Sequence, residues 1–216
     1  MKIVDLSHEL HTGMMVYPGD PEVLITPALR VEEDVVNVLS LHMGSQSGTH
    51  VDSPFHVRND LAKLNELDLS LFVGRFALID ATGLAPREPI PHERFLNVNY
   101  AGCSIALVRT DWSEKFGDGS YLAHPFPTFE SLELLLSLGI RTIGLDFLSL
   151  DMTPDDPSKA QLSNHYLWSE AGGVIAENLT NLRLLSADET HVSLLPLNLG
   201  PSDGAPVRAV AYAGGF

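Results

Sequence analysis

The stretch Gln46-Ser47-Gly48-Thr49-His50-Val51-Asp52-Ser53-Pro54-Phe55-His56 decides the reading of this chain, because it sets an amide, two imidazoles and a carboxylate at alternating positions. An extended strand points successive side chains to opposite faces, so Gln46, Gly48, His50, Asp52, Pro54 and His56 are expected on one face. Alternate residues on such a face lie about 6.6 Å apart, near enough for His50 and Asp52 to converge on one ion. Gly48 is expected to leave room for that ion, and Pro54 to mark the end of the strand.

Short aliphatic or β-branched runs bounded by Gly, Pro or Asp lie on both sides of this stretch. They predict strands over Ile3 to Leu6, Val35 to Met43, Arg75 to Asp80, Ile105 to Arg109, Thr142 to Asp146, Val192 to Leu197 and Val207 to Tyr212. Two helices are expected. Thr128 caps one in which Phe129, Leu132, Leu135, Leu136 and Leu138 form an apolar side and Gly139 provides the stop, and the other runs from about Lys159 to Ala171. Helix, glycine stop and strand in succession from Leu132 to Asp146 exclude an all-β protein. The excess of strands predicts an α/β fold with a mixed, strongly curved sheet or barrel-like core and helices packed outside. No repeat or linker divides the 216 residues, so one domain over residues 1–216 is expected.

A formal charge of −15 with only 13 Lys and Arg residues argues against a nucleic-acid partner, which needs a basic surface. No apolar run approaches the roughly 20 residues that span a bilayer, so no membrane partner is expected. The N-terminal residues lack the apolar core of a signal peptide, and a lone Cys103 cannot form an internal disulfide. Both features point to the cytoplasm.

Imidazole and carboxylate together suit Zn²⁺, Mn²⁺ or Fe²⁺ better than Ca²⁺ or Mg²⁺. Gln46 contributes a harder, neutral amide oxygen, which tilts the choice towards manganese or a loosely held zinc. His56 lies past Pro54, where the chain turns, and suits a proton carrier beside a metal-bound water; a further metal ligand is the other reading. Downstream, His165 on the second helix and Glu177, twelve residues on, could complete a second site with Asp52 as the bridge. Their spacing alone favours an exposed helix histidine and an unrelated acid.

Gly48-Thr49-His50, Asp52, Pro54 and His56 resemble the signature of the metal-dependent cyclase and kynurenine formamidase (arylformamidase) family, and Gln46 departs from it where the family has histidine. Tyr17-Pro18-Gly19-Asp20, Val108 to Trp112, Gly144-Leu145-Asp146 with Ser149, and Pro196-Leu197 with Asp203 to Arg208 look like further family blocks. The resemblance implies a barrel-like core flanked by helices and a homodimer or homotetramer. It implies metal ligation by His50, Asp52, His165 and Glu177, with Gln46 in a ligand position, and one or two zinc or manganese ions per subunit. It also implies His56 as catalytic acid or base and Tyr17 in the substrate pocket. The activity implied is that of a hydrolase cleaving a C–N bond (EC 3.5 type) in a small linear or cyclic amide, as in kynurenine formamidase or isatin hydrolase, with metal-bound hydroxide as nucleophile. A polyketide-type cyclase or dehydratase, and a non-catalytic metal-dependent binding protein, are the alternatives; product mass separates the first and Gln46→His tests the second.

Overall fold

In a computed structural model, which describes residues 2–214, the strands in chain order are β1 (Ile3–Asp5), β2 (Leu24–Leu29), β3 (Val38–His42), β4 (His50–Asp52), β5 (Val73–Asp80), β6 (Pro89–Ile90), β7 (Ile105–Arg109), β8 (Phe126–Pro127), β9 (Thr142–Leu145), β10 (Val174–Glu177), β11 (His191–Ser193), β12 (Gly204–Pro206) and β13 (Val210–Tyr212). Nine of them form one sheet in the order β1-β13-β11-β5-β7-β9-β10-β4-β12. The centre, β5-β7-β9-β10, is parallel, and the strands on either side pair antiparallel.

The centre is parallel because its strands are apolar on both faces. On β7, Ile105 and Leu107 enter a cluster with Val51, Phe72, Val192 and Ala211, while Ala106 and Val108 enter a second cluster with Leu132, Leu135 and Trp168. Cover on both sides is the usual condition for parallel strands, whose sequences read as unbroken aliphatic runs. The sheet curls into a half-barrel. Ser7, just past β1 at one edge, bridges Leu179, just past β10, and the Thr180 N–H donates to the Leu6 carbonyl at 2.9 Å.

The helices are α1 (Val31–Asp34), α2 (Glu93–Leu96), α3 (Phe129–Ser137) and α4 (Ser163–Glu170). In α3 the Thr128 hydroxyl accepts from the Ser131 N–H, and Gly139 follows in the left-handed region at φ +83°, as the sequence predicts. By contrast α4 begins four residues later than expected, at Ser163. Its first turn is capped by Asp151, distant in sequence, whose carboxylate accepts the Asn164 and His165 N–H groups at 2.9 and 3.0 Å.

The alternating strip also needs correction. Only His50 to Asp52 is strand; residues before it form turns, and Pro54–His56 is a single 3-10 turn with proline at its start. Pleating therefore aligns His50 with Asp52 but not with Gln46 or His56. Gly48 does not clear space for an ion. Its φ is +64°, and a Cβ there would stand 2.7 Å from Leu10 Cδ2, so glycine serves the turn and the close approach of Leu10.

The strand expected over Val35 to Met43 is the shorter β3, paired with a β2 that Pro27 disguised. This β2–β3 hairpin, with α1 at its tip, is one of two small two-stranded sheets separate from the main one, and every residue of β3 is exposed. No helix among the described residues is long and apolar enough to cross a membrane.

Candidate metal centre

Strand register brings the first three polar groups together. β4 pairs with β10 so that His50 faces Glu177 and Asp52 faces Ile175, while Val51 between them turns to the opposite face and packs with Phe72 and Ala205. The first turn of α4 carries His165 to the same place. All four groups are buried, with His50 3%, Asp52 2%, His165 2% and Glu177 5% exposed.

Each imidazole is held from behind. His50 Nδ1 lies 2.8 Å from the Gly48 carbonyl and His165 Nδ1 lies 2.7 Å from Asp151 Oδ2, both pure acceptors. Each Nδ1 therefore carries a proton, and Nε2 of both rings is the nitrogen turned inward, where a cation could take its lone pair. His50 Nε2 stands 3.5 Å from Asp52 Oδ1 and 3.7 Å from Glu177 Oε2. His165 Nε2 stands 3.8 Å from Asp52 Oδ2 and 3.5 Å from Glu177 Oε1. Two carboxylates thus alternate with two imidazoles around a ring whose edges are too long for hydrogen bonds.

This donor set fits a divalent cation. Asp52 Oδ1 and Gln46 Oε1 are buried without a hydrogen-bond partner, a costly arrangement for such groups unless something binds there. Three carboxylates, counting Asp151, press on two imidazoles. Burial opposes a charge on His165, yet Asp151, Asp52 and Glu177 outweigh it and raise its pKa well above the usual value. Burial likewise disfavours ionised Asp52, but His56 and His165 hold its pKa below the ordinary carboxylate value. The pocket draws in positive charge, which a metal would supply in place of protons. His50, Asp52 and Glu177 form one trio with ligand atoms within 4.8 Å of one another, and Asp52, His56 and His165 form another. Asp52 belongs to both.

The rim carries the other groups. The His56 side chain is 30% exposed, its ring centroid 5.9 Å from that of His165. Burial lowers the His56 pKa, but Asp52 and Asp203 more than compensate and the net shift is upward. Gln46 Nε2 donates to Asp203 Oδ2 at 2.8 Å and lies 3.2 Å from His56 Nδ1. A cavity of about 300 Å³ opens onto these groups, and Tyr17, Met15, Leu148 and Leu162 form much of its apolar wall. Asp20 joins the wall, and burial raises its pKa.

The histidines outside the ring have other roles. His8 stacks on Phe116 at 3.9 Å, and His124 bridges the Pro125 carbonyl and the Thr153 hydroxyl. His42 is exposed on the hairpin, away from the lining of the cavity.

Sequence reasoning gave no site role to Asp151, Asp203 or Gly204, the last two appearing only within a family block. Asp151 follows two residues after Ser149, but nothing in its spacing points to His165. Gly204 carried a stronger signal inside Asp203-Gly204-Ala205-Pro206: a Cβ there would stand 2.5 Å from the Val51 carbonyl and 2.7 Å from Gln46 Nε2.

A family model described as a putative cyclase matches residues 4–152. A kynurenine formamidase of Bacillus cereus is 32% identical over 208 residues, covering 96% of this chain and 95% of that protein. An isatin hydrolase bound to the product analogue thioisatinate superposes with a TM-score of 0.83 at 23% identity, covering 99% of this chain and 93% of that one. Isatin hydrolase A from Ralstonia solanacearum gives the same TM-score at 21% identity, over 99% and 92% of the two chains. At those identities the two structures bear on the fold, which is the same curled half-barrel.

Proposed function

Because this chain belongs to the cyclase family, with kynurenine formamidase and isatin hydrolase relatives, we propose that it hydrolyses the C–N bond of a small, compact amide. The observation that carries the reading is the ring of His50, Asp52, His165 and Glu177, with both Nε2 atoms turned inward and Asp52 Oδ1 unpartnered. His50, Asp52 and Glu177 would hold one ion, zinc or manganese, and Asp52 and His165 would hold a second, with Gln46 as a neutral ligand. When bound, such an ion polarises a carbonyl and lowers the pKa of water to about 7.

The chain's own residues supply the rest. His56, half in the cavity, takes the proton from the attacking water and returns it to the leaving nitrogen. Asp203 and Gln46 hold the imidazole from its Nδ1 side. Tyr17, Met15, Leu148 and Leu162 clasp the body of the substrate and exclude bulk water. No Lys or Arg lines the cavity among the described residues, whereas Asp20 and Glu177 do. That distribution favours a neutral cyclic amide of the isatin kind over a formamide bearing a free carboxylate.

We also propose a cytoplasmic homodimer, with the β2–β3 hairpin at the interface. An isolated two-stranded hairpin is marginal in water, and this one exposes Leu24, Val38, Leu39 and Leu41.

The test is steady-state kinetics on isatin and N-formylkynurenine with metal analysis. Turnover of one of them, abolished by chelation, supports the reading. Full turnover after exhaustive chelation contradicts it.

A further inference from the structure

Asp203 is not one of the groups that the ring needs, yet it is tied to two that matter. Its carboxylate accepts from the Ser45 hydroxyl at 2.9 and 3.0 Å and from Gln46 Nε2 at 2.8 Å. Its main-chain carbonyl accepts from the Ser53 N–H at 2.8 Å, one residue past Asp52, so the segment before β12 is fastened to the end of β4.

A carboxylate can only accept, so the face of the Gln46 amide turned to Asp203 must be its NH₂. That fixes the other face. Gln46 Oε1 then sits buried without a donor, while the amide lines the same cavity as His50, His165 and Glu177. Gly204 makes room for this placement of the amide, since a Cβ there would stand 2.7 Å from Gln46 Nε2. Gln46 Nε2 also lies 3.2 Å from His56 Nδ1, and Asp203 Oδ2 lies 3.5 Å from the same nitrogen.

We infer that Asp203 is a positioning residue, which locks the Gln46 amide so that Oε1 is offered to the cation. This rests on the metal-dependent reading above. In place of the histidine that the family signature carries at this position, the chain has an amide with two possible orientations, and Asp203 selects the one with its oxygen free.

The test uses the full chain stripped of metal and titrated with Mn²⁺ alone, free ion being read by its electron paramagnetic resonance signal. Asp203→Asn and Gln46→Ala should each weaken binding about tenfold, in the range seen for loss of an orienting partner. The double variant should be no weaker than either single one, because both remove the same oriented oxygen. Asp203→Glu restores an acceptor and should recover part of the affinity; it also carries the test where Asp203→Asn fails to fold. Additive losses, or unchanged Mn²⁺ affinity in Asp203→Asn, overturn the inference and leave the metal site standing. Absence of Mn²⁺ and Zn²⁺ binding by the unaltered chain overturns the functional reading itself.

Discussion

The ring of His50, Asp52, His165 and Glu177 and the β2–β3 hairpin break the ordinary rule of burial in opposite directions. The ring buries four ionisable side chains, none more than 5% exposed, while the hairpin exposes Leu39 at 58% and Leu41 at 54%. Ionisable groups are almost never fully buried unless paired, and large apolar patches are rarely left open. The two regions differ in how the cost is met. Around the ring, the Gly48 carbonyl and Asp151 hold the two Nδ1 atoms and the Leu150 N–H donates to Glu177 Oε1, while Asp52 Oδ1 has no hydrogen-bond partner. Among the described residues, every position of β3 stays exposed. On the proposed reading an ion completes the first inversion and a second copy of the chain completes the second.

Asp52→Asn should break the polar side of that contrast most severely. It removes a charge shared by both trios, and we expect turnover to fall at least ~10⁴-fold, about 5 kcal/mol of transition-state stabilisation, with loss of bound metal by elemental analysis. His56→Ala should lower kcat about 10³-fold and leave metal content intact, because its role is proton transfer at the rim. Loss of metal along with activity would make His56 a ligand instead.

His124 sharpens the comparison, being a buried imidazole outside the ring. It is 0% exposed, donates from Nδ1 to the Pro125 carbonyl and accepts from the Thr153 hydroxyl, and burial lowers its pKa to about 4. The unfolded chain titrates near 6.5, so above that pH the group is neutral in both states and has no effect. As pH falls from 6.5 to 4 only the unfolded state takes up the proton, and stability drops by about 3 kcal/mol at about 1.4 per unit. Urea unfolding of the native chain and of His124→Gln should therefore diverge over that window and run parallel above pH 7. Parallel behaviour throughout would mean that the imidazole protonates in place.

Asp151→Asn should weaken metal binding by about 10- to 100-fold, since it releases His165 from its tautomer and orientation. The mildest effect on the fold belongs to the hairpin. Leu39→Glu with Leu41→Glu should change the stability of the single chain by no more than about 0.5 kcal/mol, as for other exposed positions, yet convert the proposed dimer to monomer by light scattering. An unchanged mass would remove the hairpin from the interface.

Local pattern disclosed much of this. β7 matches its aliphatic run residue for residue, and α3 starts and stops at its own Thr and Gly. His50 and Asp52 were legible because a pleat puts alternate residues on one face. Gln46 and His56 both line the cavity, but turns and not the alternation of a strand carry them there. The start of α4 was hidden because its cap, Asp151, lies outside the local sequence, and β2 because Pro27 argues against a strand. Asp151 and Asp203 were invisible as site residues for a related reason. Their partners, His165 and Gln46, are 14 and 157 positions away, so only the folded sheet brings them together.

The most direct test is the metal content of protein purified without added ions, measured together with turnover of isatin before and after chelation. The account predicts one or two equivalents of zinc or manganese per chain, activity lost on removal and restored on return of the ion, and no binding in Asp52→Asn. Metal-free protein with undiminished turnover would contradict it.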